Sequence, residues 1–367
     1  MSPYIKYFTT PILALSVPIG ILLGGHWLWL GIGVIFFVVI GGDSIFGVDE
    51  SLPKIKYPSI VEVPLHLALP LLAFLLMTLF WSCGTGSDDF LYIGSLAAGM
   101  TEYDVFEARD SNTLLDFFGG VLGVGFLMAG YGINAGHEFS HRVTSPRYVA
   151  EGRWVLSLCC LADFAIEHVY GHHARVGWEE DPATARRGEN VYAFSVRSAV
   201  RGHQSAWNIE NKRLRKKGHG IFFWRNRMIR GYLMSGTWMA LGGIAGGPFG
   251  ILLFFSQSLF ARFILEVVNY MEHYGLHREK DEPVHPHHSW NTNKLVSGIV
   301  LFSLNRHSAH HERAAVPFWK LAPYPDAPQM PYGYLSTIVL CLFPPLWFRI
   351  INPKLEEWDQ QFASTLP

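Results

Sequence analysis

Charged side chains are scarce in this sequence. Asp, Glu, Lys and Arg make up 16% of the 367 residues, against about 25% in an average soluble protein. That is too little to solvate the outside of a freely soluble domain of this size. Apolar residues take their place at 50%, with aromatics at 14%. The mean hydropathy is positive, and the class this indicates is integral membrane. Neither sign of charge is in excess, the net being −1, so composition gives no reason to propose a nucleic-acid partner. Cysteine is also sparse. Cys83, Cys159, Cys160 and Cys341 form no C-x-x-C pair, which excludes a zinc ribbon or a rubredoxin-type iron site within these residues. The adjacent Cys159–Cys160 pair reads as core packing. Internal repeats and long low-complexity tracts are missing as well. After Lys6 no small-residue cleavage site follows the apolar run, so the first run reads as a membrane span and not as a removed signal peptide.

What is abundant is hydrophobic stretches of spanning length, about 17–25 residues for roughly 30 Å of hydrocarbon. Six are expected, at about 8–24, 27–43, 61–83, 114–137, 230–247 and 249–272. A turn at Gly24–Gly25 joins the first pair, and Gly246-Gly247-Pro248 joins the last. The fourth is rich in small residues (GGVLGVGFLMAGYGINAG) that let helix backbones approach closely in lipid. Segment 88–107 is interrupted by Glu102, Asp104 and Glu107 and reads as a surface or re-entrant piece on the outer side. The piece at 332–350, broken by Pro344–Pro345, reads as an interfacial or buried helix.

Six spans put both termini on one side, and the distribution of basic residues chooses which. Of 29 Lys and Arg, only Arg109 falls in a predicted outer loop, and Arg262 falls within the sixth span. Both termini are therefore expected to be cytoplasmic, with cytoplasmic catalytic portions at about 138–229 and 273–330. The run NKRLRKK at 211–217 reads as a solvated face or a contact with anionic headgroups. The expected fold is all-α integral membrane: a single domain over 1–367, with six transmembrane helices and a cytoplasmic helical cap.

Seventeen histidines stand out against this background. His137 and His141 lie in HEFSH. His168, His172 and His173 lie in EHVYGHH. His273 lies in NYMEHYG, and His307, His310 and His311 lie in LNRHSAHHER. All nine fall on the predicted cytoplasmic side. Residues three or four apart share a helix face, which pairs His137 with His141, His168 with His172, and His307 with His310 and His311. Adjacent histidines point about 100° apart, so pairs such as 172–173 and 310–311 serve two metals more naturally than one. A histidine-rich dinuclear site follows. A catalytic zinc needs only about three protein ligands, and nine are too many for that, although imidazole suits zinc, copper, iron and nickel alike and ligand type alone does not exclude zinc.

Taken together, HEFSHR, EHVYGHHARVGWEEDPATARRGE, NYMEHYGLHR and LNRHSAHHER resemble the membrane-bound alkane 1-monooxygenases, non-haem diiron hydroxylases of the histidine-box superfamily of desaturases and hydroxylases. The resemblance runs from the first span to about residue 325. The boxes mark the superfamily, whereas NYMEHYG and DPATAR are more selective. After the third box the chain continues ERAAVPFWKL, with fewer basic and tyrosine residues than the resemblance leads one to expect. The resemblance implies six spans in a bacterial inner membrane, two non-haem irons held by His137, His141, His168, His172, His173, His273, His307, His310 and His311, and O2 as co-substrate. It implies oxygen insertion at the terminal methyl of a linear alkane. The electrons would come from a rubredoxin, separate or fused, served by a rubredoxin reductase.

A saturated C–H bond offers nothing to acid–base groups, so activated oxygen must come from metal and O2. No catalytic side chain is expected beyond the metal centre. Glu138, Glu167, Asp181, Glu272 and Glu312, beside or just after the boxes, are candidates to hold ligand histidines through their other ring nitrogen. Glu266, costly within a span, is expected to pair with Arg262. Trp27, Trp29, Phe36 and Phe37, with Leu122, Leu127 and Met128, are candidates to line an apolar channel open to lipid. His285, His287 and His288, in EPVHPHHSW, read as a supporting loop. Alternatives within the superfamily are a desaturase, a fatty-acid hydroxylase or an aryl-methyl hydroxylase. An alternative of another class, a metal transporter, would place its ligands near the bilayer midplane, whereas these cluster past the span ends.

Overall fold

The computed structural model describes residues 2–363, and among them the chain is helical, with isolated bridges at Val48–Lys294 and Asn291–Gln329 in place of strands. Helices α1 (Lys6–Leu23), α2 (Gly25–Phe46), α3 (Pro58–Trp81) and α4 (Leu114–His141) are each long and apolar enough to cross a membrane. Segment 88–107 supplies two short helices, Ile93–Ala98 and Val105–Asp110. After α4 come α5 (Pro146–Ser157), α6 (164–175) and α7 (Val191–Lys216). The fifth long apolar segment is α8 (Arg227–His273). Then follow α9 (Leu295–Val300), α10 (His307–Glu312), α11 (Tyr334–Cys341) and α12 (Pro344–Ala363).

At 1.5 Å per residue a straight α8 would run about 70 Å, twice the hydrocarbon thickness. It does not run straight. Gly247 leaves helical geometry at φ 57°, ψ −142°, and Pro248 follows. Gly242 and Gly250 would stand about 12 Å apart in a continuous helix. Instead, a Cβ placed on Gly250 would lie 2.1 Å from the Gly242 carbonyl oxygen. The chain therefore doubles back where the sequence placed the turn between 230–247 and 249–272.

The described residues form two compact units, each discontinuous in sequence. The first takes the chain to Val38, then Ile55–Ala165 and His219–Arg262. Its helices meet where side chains are missing. A Cβ on Gly119 of α4 would strike the Trp29 ring of α2, and one on Gly125 would strike Phe260 of α8. Gly136 lies against Leu156 of α5 in the same way. These are the close approaches that small residues permit in lipid, where no hydrophobic drive brings helices together. Large apolar side chains face outward, Phe37 at 81% exposure and Leu114 at 78%. On a soluble protein such patches are rare; here they are the lipid-facing surface. Thr113 starts α4 with a reciprocal cap to Asp116.

Arg262 gives both guanidinium nitrogens to Asp163, at 3.0 and 2.7 Å. A planar fork matched to one carboxylate makes two aligned bonds. Glu266 accepts from the Asn269 amide at 3.3 Å.

The second unit comprises Val39–Lys54, Ile166–Gly218 and the chain from Phe263 onward. Arginines and one aspartate tie its loops. Arg306 donates to the carbonyls of Leu321, Asp49 and Ser51 and so fixes the start of α10. Arg278 donates to Val176, Ala174 and Glu282, binding the chain after α6 to the chain after α8. Asp43 accepts from both the N–H and the hydroxyl of Ser297. α11, which with the start of α12 makes up the 332–350 piece, buries Tyr334, Ile338 and Cys341 along one face.

Candidate metal centre

Each histidine box sits on a short helical piece, and the pitch of that piece decides which rings meet. On α10, a regular helix, His307 and His311 are four apart and their Nε2 atoms stand 2.8 Å apart. α6 differs. His168–His172 is a π-turn, which moves the shared face from i,i+4 to i,i+5. His168 therefore meets His173, Nε2 to Nε2 at 3.0 Å, while its ring lies tilted beside that of His172, its partner by helical spacing, with centroids 5.4 Å apart. His173 faces His310 at 3.0 Å, and His172 faces His311 at 3.3 Å. His273, at the end of α8, faces His307 at 3.2 Å. Within the second unit the histidines thus separate into two sets. The ligand atoms of His168, His173 and His310 lie within 4.8 Å of one another, as do those of His172, His273 and His311. The adjacent pairs 172–173 and 310–311 divide between the sets, as their 100° separation requires. In the first unit, at the end of α4, His137 and His141 stand 3.2 Å apart, Nε2 to Nε2.

Convergence of this kind is not a hydrogen-bond network. An imidazole nitrogen has one in-plane direction, holding either one proton or one lone pair. The His307 Nε2 faces His273, His311 and the Glu272 carboxylate, each at 3.2 Å or less. One proton does not satisfy three neighbours, whereas a cation accepts lone pairs from all of them. Metal–imidazole bonds of about 2.1 Å, the zinc value, set ligand nitrogens about 3.0–3.4 Å apart at right or tetrahedral angles. The observed spacings of 2.8–3.3 Å lie within about 0.2 Å of that range, so the residues fit a first-row metal.

At His311 electrostatics favours the neutral, ligand form. Burial, then the neighbouring imidazoles, push the protonated form of His311 far down, leaving it neutral. Burial also opposes charge on His172, but Asp181 outweighs it and raises its pKa. The His172 Nδ1–H donates to Asp181 Oδ2 at 2.8 Å, and the Thr184 hydroxyl donates to the same oxygen at 2.6 Å. This is the carboxylate–histidine arrangement that fixes a ligand's tautomer.

The other carboxylates are placed differently. Glu272 stands on the metal-facing side, 3.2 Å from His307 Nε2, and its other oxygen accepts from the Tyr334 hydroxyl at 2.7 Å. Glu167 accepts from the His172 backbone N–H at 3.1 Å and from Arg175 at 2.5 Å. Burial pushes its pKa up to about 7. Glu138 accepts from Arg142 at 3.1 Å, and Glu312 accepts from the Tyr324 hydroxyl at 2.5 Å. Sequence reasoning passed over Arg278, Arg306 and Tyr334. Arg306 lies in LNRH, beside His307, and that adjacency was the available signal.

Among the channel candidates, Phe37 and Trp27 face outward and Leu127 and Met128 are buried. Trp29 meets Phe118 edge-on, Phe36 meets Phe126 likewise, and Leu122 is half-buried. In the His285–His288 loop, Glu282, His287 and His288 also converge. There, however, His288 Nδ1 accepts from the His285 N–H at 3.0 Å, so Nε2 carries the proton and points it at Glu282, 3.3 Å away. A ligand imidazole needs the opposite tautomer, and the loop serves as support.

The family described as fatty acid desaturase matches residues 112–340. Alkane 1-monooxygenase 1 of Pseudomonas aeruginosa is 34% identical, over 98% of this chain and 93% of the relative. Alkane 1-monooxygenase 2 of the same organism is 35% identical, over 90% and 85%. The xylene/toluene monooxygenase hydroxylase component of Pseudomonas putida is 29% identical, over 98% and 91%.

Proposed function

Because the chain belongs to the alkane 1-monooxygenases, within the histidine-box desaturase superfamily, we propose that it hydroxylates the terminal methyl of linear alkanes, converting RH, O2, two electrons and two protons to a primary alcohol and water. The observation that carries the proposal is the division of the box histidines into two convergent sets. His168, His173 and His310 would hold one iron, and His172, His273, His307 and His311 the other. When bound, the two irons supply the oxygen-activating redox chemistry that an unactivated C–H bond demands.

The chain's own residues do the rest. Asp181 holds His172 with its lone pair toward the set. Arg306 fixes the start of α10, which carries His307, and Arg278 fixes the end of α6, which carries His173. Glu272, braced by Tyr334, presents a carboxylate beside His307. Glu167 has a raised pKa that suits it to holding a proton near neutral pH.

In this reading α8 crosses the membrane twice, the termini and the histidines are cytoplasmic in a bacterial inner membrane, and a rubredoxin served by its reductase delivers the electrons. The scarcity of basic residues in the predicted outer loops supports that orientation. The relative that acts on xylene and toluene favours one second reading, hydroxylation of an aryl methyl. The test gives iron-loaded protein a linear medium-chain alkane under ¹⁸O2 with a rubredoxin reducing system, read by mass spectrometry. Labelled 1-alkanol is expected. An unlabelled alkene would make the protein a desaturase. No product with the metal demonstrably reduced would move the substrate to aryl methyls or fatty acids.

A further inference from the structure

A cavity of about 590 Å³ opens in the first unit, away from the boxes. Its walls are two helix faces. Pro146, Val149 and Arg153 line it from α5, and Arg230, Leu233 and Thr237 line it from α8. Both triplets follow the i, i+3, i+7 spacing of a single face. No Asp or Glu is among the lining residues, whereas two arginines are. Arg153 is held in place by a hydrogen bond to the Arg227 carbonyl. Arg230 is exposed and makes no ion pair or side-chain hydrogen bond among the described residues.

The cavity lies at one end of an apolar segment. Arg227 and Arg230 occupy the first turn of α8, and just before it Phe222 and Trp224 are exposed at 88% and 66%. Aromatic and basic side chains at the end of an apolar helix mark the headgroup level. From Arg230 to Thr237 the helix advances about 10 Å, from that level toward the acyl chains. The lining grades the same way, from arginine to Leu233 and Met234. Trp154 closes one wall, edge-on to Trp238 at 6.0 Å.

We propose that this cavity binds an anionic phospholipid of the surrounding bilayer, with its phosphate between Arg153 and Arg230 and the start of one acyl chain against Leu233 and Met234. Charge complementarity selects the headgroup, and the graded lining selects an amphiphile over a free anion. The site is independent of the reaction assigned above.

The test is native mass spectrometry of the full chain in detergent. It is titrated with phosphatidylglycerol or with phosphatidylcholine of the same acyl chains. Phosphatidylglycerol is expected to form a 1:1 adduct at lower concentration than phosphatidylcholine. Arg230→Gln should weaken it about fivefold, the value of one basic residue near an anionic headgroup. Ala150→Phe, which fills the cavity from α5, should abolish the adduct. Both positions are exposed, and helical circular dichroism checks that each variant is folded. Equal binding of the two lipids, an unchanged adduct in Arg230→Gln, or complete displacement of the lipid by inorganic phosphate at equal concentration would overturn the proposal.

Discussion

Replacing Asp181 by Asn removes a charge and almost no volume. Asp181 accepts from His172 Nδ1–H at 2.8 Å and from Thr184 at 2.6 Å, and both His172 and Asp181 are buried. While Nδ1 keeps its proton, the His172 Nε2 lone pair stays free to face a metal. Asn weakens the acceptor, and its amide N–H₂ competes to donate to Nδ1, which moves the ring proton onto the metal-facing nitrogen. Loss of such a partner lowers metal affinity about 10–100-fold, or about 1.4–2.8 kcal/mol at 1.4 kcal/mol per tenfold. The assay equilibrates iron-loaded protein against a graded series of chelators and measures metal per chain by mass spectrometry. Glu312→Gln serves as the control, because Glu312 bonds to Tyr324 and not to a ligand ring. The expected result is early loss of metal in Asp181→Asn with the helical signal unchanged, and no shift in the control. Equal metal retention by wild type and Asp181→Asn would refute the orienting role and with it the tautomer assigned to His172.

Further predictions rest on other contacts. Arg262→Met removes the bidentate partner of the buried Asp163 carboxylate, at a cost of about 3–5 kcal/mol; thermal unfolding should show most of that loss recovered in the Asp163→Asn/Arg262→Met double variant. In α8, Gly250→Ala drives a Cβ into the Gly242 carbonyl and should sharply lower folded yield, whereas Gly247→Ala meets no atom within 4 Å and should cost only the about 1–3 kcal/mol of its backbone strain. Glu189 accepts from Arg197 at 2.7 Å through each oxygen. Burial pushes its pKa up, but those bonds and the Arg186 N–H outweigh it and hold it below the ordinary range. A depressed carboxylate contributes stability that is present above its unfolded pKa of about 4.3 and is lost as pH falls through the lower native value. Glu189→Gln should therefore cost about 2 kcal/mol at pH 7, and its difference from wild type should shrink in thermal unfolding below about pH 4. An undiminished difference in acid would place the effect elsewhere.

How far the sequence reached is clearest at the histidines. Spacing alone set His137 with His141 and His307 with His311, because a regular helix carries i,i+4 neighbours on one face. At His168 the rule was incomplete: His172 does lie beside it, but a π-turn adds one residue to the turn and brings the His173 nitrogen against its own. Nothing in EHVYGHH distinguishes that turn from an α-helix; it is set by what surrounds the segment. Arg262 shows the limit at longer range: Asp163, which it meets bidentately, lies 99 residues away in the chain, where no spacing rule reaches.

Composition and hydropathy, local properties summed along the chain, determined that this protein is helical, lies in a membrane and gathers histidines for a metal. The reversal at Gly247 was equally local, since glycine followed by proline leaves a helix few alternatives. Tertiary structure alone decided which histidines converge with which. It also decided which carboxylate meets a ring at Nδ1 and which stands beside Nε2, and that α5 and α8 leave an arginine-lined cavity between them. Those outcomes depend on the directions of side chains brought together from distant segments. A hydrogen bond or a coordination bond is won or lost over fractions of an ångström that no spacing along the chain records.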